Sequence, residues 1–287
     1  MEMIVDSLLD AGLDSIRLLP FLFLAYLLME YVEHKMGSKA KNTIQKAGKA
    51  GPFVGSLLGV VPQCGFSTVA SNLYAGRIIS LGTLFAVYLS TSDEMLPIFL
   101  SESVPVSTIV KILAGKCAIG MIAGFGIDLL LQLRKKKVTE EMMSGHICEH
   151  EHCHCEKGIV RSAVVHTIHI WFFILLISIV LNIILLFVGE EALKGIIGNK
   201  PVISSFLAGL VGLIPNCAAS VVITQLYLEQ IIPIGAMFSG LLVSAGVGLI
   251  VLFKVNEHIK ENLKITALLY GIGVFSGILI QCFVNWC

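Results

Sequence analysis

One segment of this chain occurs twice, and the repetition limits the folds that the chain can adopt. Residues 59–67, GVVPQCGFS, return 153 positions later as GLIPNCAAS at residues 212–220. The same offset aligns Lys111-Ile112 with Lys264-Ile265. Chance matches of Leu, Ile and Val are common in an apolar chain, but Pro, Cys, Ser and Lys matched in a single register are not. The sequence therefore predicts an internal duplication.

The composition places both copies in a membrane. Of the 287 residues, 56% are hydrophobic and only 14% are charged, whereas soluble domains carry about 25% charged residues. The mean hydropathy is +0.87, and several apolar runs reach the ~20 residues that span a bilayer. We predict an all-α integral membrane protein. The net charge of zero argues against a nucleic-acid partner, and the eight cysteines are not spaced like a secreted disulfide framework.

Each copy interrupts an apolar segment with a proline, an amide and a thiol, at Pro62 and at Pro215. Proline removes a backbone donor and clashes with the preceding helical turn. Irregular backbone at membrane depth is tolerated only where it is buried in protein or lines a cavity. Two such breaks at equivalent positions are typical of a transporter binding site. The alternative is a pair of proline kinks that only shape helix packing.

Positive charge sets the expected topology, because Lys and Arg concentrate in cytoplasmic loops. The connector 33–50 and the loop 134–160 are both rich in these residues, and three apolar segments lie between them. An odd number of crossings would put the connector and the loop on opposite sides of the membrane. The conflict disappears if 51–76 is a re-entrant hairpin that enters and leaves from the cytoplasm. The alternative is that 51–76 is a single kinked span.

Applied to both halves, this plan predicts two inverted-topology repeats, each with three spanning helices plus one re-entrant broken-helix hairpin. The regions are a first transmembrane repeat at 1–133, a cytoplasmic Cys/His-rich loop at 134–160 and a second, inverted repeat at 161–287. Both termini then lie outside. The second hairpin is 201–228. A polar run at 90–94 interrupts the apolar segment 78–100, and its counterpart, 231–253, is predicted to be a span in which the acids are not duplicated.

The hairpin tips and the polar run carry the side chains that could bind a substrate. Thiolates are soft ligands that suit thiophilic metals, and amides and hydroxyls could complete a polar cavity. The predicted substrate-binding residues are Pro62, Gln63, Cys64, Ser67, Ser90, Thr91, Ser92, Asp93, Glu94, Pro215, Asn216, Cys217 and Ser220. The alternative for Cys64 and Cys217 is that they are small packing residues, as buried cysteines often are.

Two acids and one lysine fall inside apolar segments. A carboxylate inside a span is costly and by default functional. Asp93 and Glu94 lie within their segment, and Lys116 falls at nearly the same depth in the next one. We predict that these three residues couple transport to protons. The alternative is that the acids cap a helix near the outer headgroups. Asp128, near a cytoplasmic end, is expected to be solvated.

The central loop contains a dense run of side chains that bind metals. Its predicted ligands are His146, Cys148, His150, His152, Cys153, His154 and Cys155. Tracts rich in Cys and His bind metals, but this spacing fits no zinc finger, which favours capture or sensing over a structural site. The alternative is a solvated loop with no metal function.

These features predict secondary-active transport of a heavy metal or metalloid, by alternating access around the two tips. No P-loop, HExxH or nucleophile-elbow motif in a plausible context is present, so we expect no enzyme, no ATP-driven step and no cofactor besides the transported species. The duplicated thiols favour arsenite or a thiophilic divalent cation, and a Mn(II) or other divalent-cation/proton transporter is the alternative. A membrane-anchored metal sensor is the alternative of another class. Expected partners are membrane lipid and the metal or metalloid, with a homodimer left open.

The doubled Pro-Gln/Asn-Cys segments, the Ser90-Thr91-Ser92-Asp93-Glu94 run and the Cys/His-rich loop together resemble the ten-transmembrane heavy-metal exporter family. Members of that family are often labelled arsenic efflux proteins, and some are labelled manganese transporters. The resemblance covers essentially the whole chain. Counting each hairpin arm as a segment gives ten segments in total. The resemblance implies export of a metal or metalloid, and the direction of transport is taken from it alone.

Overall fold

The computed structural model describes residues 47–134 except 62, 63 and 93, residues 201–286 except 216, and scattered positions within 20–27 and 164–179. These residues form helices and their connections, with no strand among them, which confirms the all-α prediction. Three stretches of the described chain are long and apolar enough to cross a membrane: Val106–Leu133, Ile234–Val255 and Ile259–Val284.

Five helices follow one another in the described part of the first half. After a 3₁₀ turn at Gly48–Ala50 come α1 (Gly51–Gly59), α2 (Cys64–Ala75), α3 (Leu81–Ser90), α4 (Met95–Ser101) and α5 (Val106–Arg134). The segment predicted to break at Pro62 is thus divided into α1 and α2. The segment predicted to be interrupted by the polar run is divided into α3 and α4.

The second half repeats this order. Its helices are α6 (Pro201–Gly212), α7 (Cys217–Leu228), α8 (Ile234–Val243), α9 (Gly248–Val255) and α10 (Ile259–Trp286). Helices α7 to α10 begin 153 positions after α2 to α5, and α6 ends 153 positions after α1. The duplication in the sequence therefore extends to the helix boundaries.

The span predicted at 231–253 is present as the membrane-length stretch Ile234–Val255, but it contains a break that the sequence did not mark. The segment 231–253 is not an unbroken span, because α8 ends at Val243 and α9 begins at Gly248. Between them Gly246 has a φ of +55°, a left-handed conformation that glycine adopts without the steric cost of a Cβ atom. Both halves thus contain a helix break at the equivalent place, 91–94 in the first and 244–247 in the second.

The hydroxyl residues at the end of α3 give a local reason for the first of these breaks. Ser90 Oγ and Thr91 Oγ1 donate to backbone carbonyls one turn earlier, at 2.6 and 2.7 Å. Side-chain bonds of this kind offer the backbone an alternative to helical hydrogen bonding. At the other end of α3, the Ser80 hydroxyl accepts a hydrogen bond from the Thr83 amide at 3.1 Å, which caps the helix.

Glycine lets the long helices approach α3 and α8 closely. A Cβ atom on Gly124 of α5 would lie 2.6 Å from the Gly82 carbonyl oxygen of α3. A Cβ atom on Gly235 of α8 would lie 2.5 Å from the Gly277 carbonyl oxygen of α10. These contacts leave no room for a larger side chain, as at other small-residue helix interfaces in membranes. The two glycine pairs occupy equivalent positions in the two halves.

The long helices also hold the N-termini of α3 and α8. Asp128 of α5 accepts hydrogen bonds from the Gly82 amide at 2.9 Å and the Ser80 hydroxyl at 2.6 Å. Gln281 of α10, 153 positions later, accepts one from the Gly235 amide at 2.9 Å. We expected Asp128 to be solvated, but its carboxylate is half-buried and bonded to the start of α3.

The two halves are joined through their short helices. Helix α2 packs against α9, and α7 packs against α4. At the first contact, the Ser71 hydroxyl donates to the Gly248 carbonyl at 2.7 Å and bonds the Tyr88 hydroxyl at 2.6 Å. At the second, the ring centroids of Phe99 and Tyr227 lie 6.2 Å apart. Helices α3 and α8 also contact each other, so their ends lie in the interior between the halves.

A cavity of about 840 Å³ lies at one end of the described structure. Its lining includes Gly48 and Arg77, which flank α1 and α2, Gln132 near the end of α5, and Glu261 near the start of α10. The two ends of the stretch 48–77 are therefore at the same end of the molecule. Arg77 and Glu261 form an ion pair in this lining, at 2.8 Å.

Candidate functional site

A narrow gap in the interior lies where the two equivalent helix breaks approach each other. Its described lining consists of Thr91, Ser92, Met95, Lys116, Ser220, Leu241 and Ser244. Most of these side chains are polar, although the surrounding core is apolar. The gap is too small to admit a water molecule, so the structure holds this site in a closed form.

Lys116 is the charged side chain in the described lining of the gap. It lies within α5 and is fully buried, with 0% of its surface exposed. Its Nζ atom donates hydrogen bonds to the carbonyl of Thr91 and, at 3.0 Å, to the carbonyl of Leu241. Thr91 directly follows the last residue of α3, and Leu241 belongs to the last turn of α8. The ammonium group therefore connects the C-terminal ends of two helices from different halves.

This position makes the burial of a lysine physically reasonable. The last four carbonyls of a helix have no partner within the helix, and together they carry about half a negative charge. An ammonium group between two such ends satisfies backbone acceptors and meets a favourable field from both helices.

Three serines complete the polar lining. Ser92 Oγ donates to the Ser90 carbonyl at 3.1 Å, and Ser220, near the start of α7, is buried. Ser244, directly after α8, is also buried, and its Oγ atom has no hydrogen-bond partner among the described residues. Because a hydroxyl can both donate and accept a hydrogen bond, Ser244 can bind a transported species that offers either a donor or an acceptor.

A second polar contact surrounds Ser67, the counterpart of Ser220. Ser67 is buried where α2 meets α9, and a Cβ atom on Gly248 would lie 2.7 Å from the Ser67 Cβ atom. The Gly248 carbonyl accepts hydrogen bonds from the hydroxyls of Ser71 and Tyr88, at 2.7 and 3.1 Å. These buried bonds fix the second half against α2 and α3.

The structure brings together some of the residues that the sequence nominated. Thr91, Ser92, Lys116 and Ser220 line the same gap. Ser90 lies apart from them, because its hydroxyl bonds to its own helix and its side chain packs against Gly59 and Gly120. Glu94 is buried at the start of α4, and Pro215 is half-buried between α6 and α7.

The remaining nominated residues lie outside the described part of the chain. This applies to Pro62, Gln63, Asp93 and Asn216, to the side chains of Cys64 and Cys217, and to His146, Cys148, His150, His152, Cys153, His154 and Cys155. Their roles stay predictions. In the part of the chain that the structure describes, no group of three or more His, Cys, Asp or Glu side chains could hold a metal ion.

Ser244 and Tyr88 contribute to the polar interior and were missed in the sequence. Ser244 had a usable signal, because it stands 153 positions after Thr91. Its neighbours lack the carboxylates of the first copy, so no charge marks the position. Tyr88 had no such signal, since only the packing of the two halves brings its hydroxyl to Gly248.

Apolar spans around a polar interior, with helices broken at the centre, are typical of membrane transport proteins. A family model described as "Putative, 10TM heavy-metal exporter" matches residues 1–192, which is more than half of the chain. The chain therefore belongs to this heavy-metal exporter family and is a membrane protein, as the resemblance in the sequence implied. Searches of curated proteins and of solved structures gave no match.

Proposed function

We propose that the protein is a secondary-active transporter that exports a heavy metal or metalloid by alternating access around the gap between α3 and α8. The observation that carries this proposal is the pair of equivalent helix breaks around buried Lys116. Broken helices whose ends point at a central site are a recurring way to bind and release cargo in membranes. The closed gap is consistent with an occluded stage of such a cycle.

Inverted repeats with hairpins at 51–76 and 201–228 are part of this proposal. Two observations support them. Both ends of the stretch 48–77 line one cavity, and α5 ends at that cavity while its counterpart α10 begins there. Equivalent helices run in opposite directions in inverted-topology repeats. With the Lys-rich loop 134–160 inside the cell, the cavity opens to the cytoplasm and both termini lie outside.

Cysteine labelling tests the topology. With Lys41→Cys and Lys136→Cys as separate single variants, an impermeant thiol reagent should reach both positions from the cytoplasmic face. A Cys placed in the loop Ser101–Val106 serves as the control and should label from the opposite face. If positions 41 and 136 label from opposite faces, then 51–76 is a full span and the hairpin is refuted.

We expect the transported species to be a soft metal or metalloid, that is, one that prefers thiolate ligands. Cys64 and Cys217 begin α2 and α7 at equivalent positions, so the thiols belong to the duplicated part of the site, whereas Asp93 and Glu94 occur once. Thiolates suit thiophilic metals and, by the same chemistry, trivalent arsenic. The second candidate is Mn²⁺ or another divalent cation exchanged for protons. It is favoured by the buried carboxylate of Glu94 and the hydroxyls of the gap.

A comparison of two double variants separates these candidates. In cells sensitised to metals, Cys64→Ser with Cys217→Ser should abolish resistance to arsenite or Cd²⁺, while Asp93→Asn with Glu94→Gln should mainly reduce tolerance of Mn²⁺. Cys282→Ser is the matched control, because Cys282 is exposed near the end of α10. Full resistance in the double-serine variant, together with loss of manganese tolerance in the acid variant, would refute the soft-cargo assignment.

The alternative of another class is a metal sensor anchored by its spans. An anchor does not need a buried lysine and hydroxyls at the ends of broken helices, which favours transport. Deleting 146–155 separates the two functions. Flux in proteoliposomes that survives the deletion supports a transporter, and absence of flux for every metal tested supports the sensor.

A further inference from the structure

The ammonium group of Lys116 occupies a position suited to a free cation. We propose that Lys116 is a specificity-determining residue: as a cation tethered to the chain it fills this position, so that the gap accepts an uncharged metal or metalloid species and rejects bare divalent cations. The inference rests on the proposed function for the location of the site, and it specifies the charge class of the cargo.

The first argument concerns two of the oxygen atoms that contact the ammonium group. The carbonyl oxygens of Thr91 and Leu241 accept its hydrogen bonds, and both belong to the C-terminal ends of broken helices. Exposed helix C-termini and unwound carbonyls are the groups that coordinate Na⁺ in transporters with broken helices. In this chain the same kind of oxygen set is already occupied by Nζ.

The second argument is that only one of the two repeats has a lysine at this position. The counterpart of Lys116 in α10 is Leu269, which is also fully buried. If this position only filled space between the helices, an apolar side chain such as Leu269 would serve in both halves. The lysine thus adds a charge that packing does not require.

The third argument is the repulsion between like charges. Lys116 is fully buried and lines the gap. An uncharged cargo would meet no such repulsion. A divalent cation in the gap would lie next to the ammonium group, in surroundings where like charges repel more strongly than in water.

The fourth argument is the hydrogen-bonding group that the gap offers to a transported species. Ser244 Oγ is buried in the gap and has no hydrogen-bond partner among the described residues. A hydroxyl donates and accepts, which matches a guest that carries its own hydroxyl groups, such as arsenite in its neutral form.

Equilibrium binding of Mn²⁺ to the purified full-length protein tests the role of Lys116. Replacing Lys116 with Met removes the charge and frees oxygen acceptors, which Mn²⁺ prefers. We expect Lys116→Met to bind Mn²⁺ tighter than the wild type by about tenfold or more. Mn²⁺ should also raise the melting temperature of this variant more than that of the wild type. In proteoliposomes, the ratio of arsenite flux to Mn²⁺ flux should fall by a similar factor.

Two controls define the outcome. Lys116→Arg keeps the charge and should behave like the wild type, and Leu269→Met makes the matched change at the counterpart position and should have no effect on Mn²⁺ binding. The metal-ligand tract 146–155 is present in every variant, so its contribution cancels. Equal Mn²⁺ binding by Lys116→Met and the wild type would overturn the proposal, as would Lys116→Arg binding Mn²⁺ like Lys116→Met.

A second uncharged variant keeps the test decisive if Lys116→Met does not fold. Lys116→Gln can still donate hydrogen bonds to the two carbonyls, and it should show the same gain in Mn²⁺ binding; no gain there overturns the proposal. A wild type that transports none of arsenite, Cd²⁺, Zn²⁺ and Mn²⁺ would refute the proposed function, yet the binding comparison would still decide the role of Lys116.

Discussion

Asp128 and Gln281 make equivalent bonds with different side chains. Each accepts a hydrogen bond from the first turn of its neighbouring helix at 2.9 Å, and Asp128 also accepts one from the Ser80 hydroxyl. A carboxylate near a helix N-terminus is additionally favoured by the helix dipole. At the scale of residues, the duplication therefore retained the geometry of a bond while the chemistry at the two positions diverged.

Replacing Asp128 with Ala should destabilise the protein by about 1 kcal/mol, because the start of α3 loses its capping partner. Thermal unfolding in detergent measures the change. Asp128→Asn keeps an acceptor oxygen and should cost less. An unchanged melting temperature for Asp128→Ala would show that water replaces the carboxylate at no cost.

Polar residues inside apolar segments could be found in the sequence, but their partners could not. Thr91, Ser92, Lys116 and Ser220 stood out because a polar group is costly at that depth, and the structure places them around one gap. That Lys116 bonds Leu241 depends on the packing of α3 and α8, which are distant in the chain. Patterns within one segment contain no information about such contacts.

Helix breaks differ in how clearly the sequence marks them. Pro62 and Pro215 predict breaks directly, because proline cannot continue the hydrogen bonds of a helix. The break at 244–247 has no proline and no charge, and it lies within an apolar stretch with a mean hydropathy of 2.3. At the scale of elements, composition therefore predicts the membrane-length stretch at 231–253, but not the break within it, where Gly246 has a left-handed conformation.

The glycine contact between α3 and α5 yields a prediction with a control on the same helix. Gly124→Ala should destabilise the protein, because its Cβ atom would lie 2.6 Å from the Gly82 carbonyl oxygen and 2.9 Å from Pro52 Cβ. At Gly126 a Cβ atom would meet nothing within 4 Å. Gly126→Ala should therefore be neutral, or stabilising by up to about 1 kcal/mol through helix propensity.

The stabilities of the two alanine variants are compared by their yield of folded protein and their melting temperature. Gly277→Ala and Gly271→Ala repeat the comparison on α10, where Gly277 contacts α8 and Gly271 faces open space. Equal tolerance of alanine at Gly124 and Gly126 would contradict the close approach of α3 and α5.

At the scale of the whole molecule, the two halves share backbone geometry but not charge. Arg77 and its counterpart Gln230 both have a φ of +57°, yet only Arg77 can form an ion pair. Its partner Glu261 begins α10, and the counterpart of Glu261 in α5 is the uncharged Thr108. The halves are therefore joined by this ion pair at the end of the molecule that contains the cavity.

The contacts of this pair are specific. Arg77 donates two hydrogen bonds to the Glu261 carboxylate, both at 2.8 Å, and Tyr74 donates a third at 2.5 Å. Two parallel bonds between Arg and a carboxylate add geometric specificity. The hydrogen bond to Glu261 raises the pKa of Arg77 further above its usual value, so the guanidinium stays charged at any physiological pH. The side chains are 50% and 30% exposed, which limits what the pair adds to stability to about 1 kcal/mol.

A pair of this strength suits a contact that opens and closes during transport. Arg77→Gln should leave the melting temperature nearly unchanged, because the lost interaction is largely solvated. It should nevertheless speed amide hydrogen exchange in the peptide around 256–262, because the start of α10 is no longer held against the first half.

Glu261→Gln should have the same effect, and the exchanged pair Arg77→Glu with Glu261→Arg should restore slow exchange. Gln230→Ala, at the counterpart position, should leave that peptide unaffected. If the exchanged pair behaves like either single variant, charge does not hold the halves together here, and the contact is only a point where the connections pack.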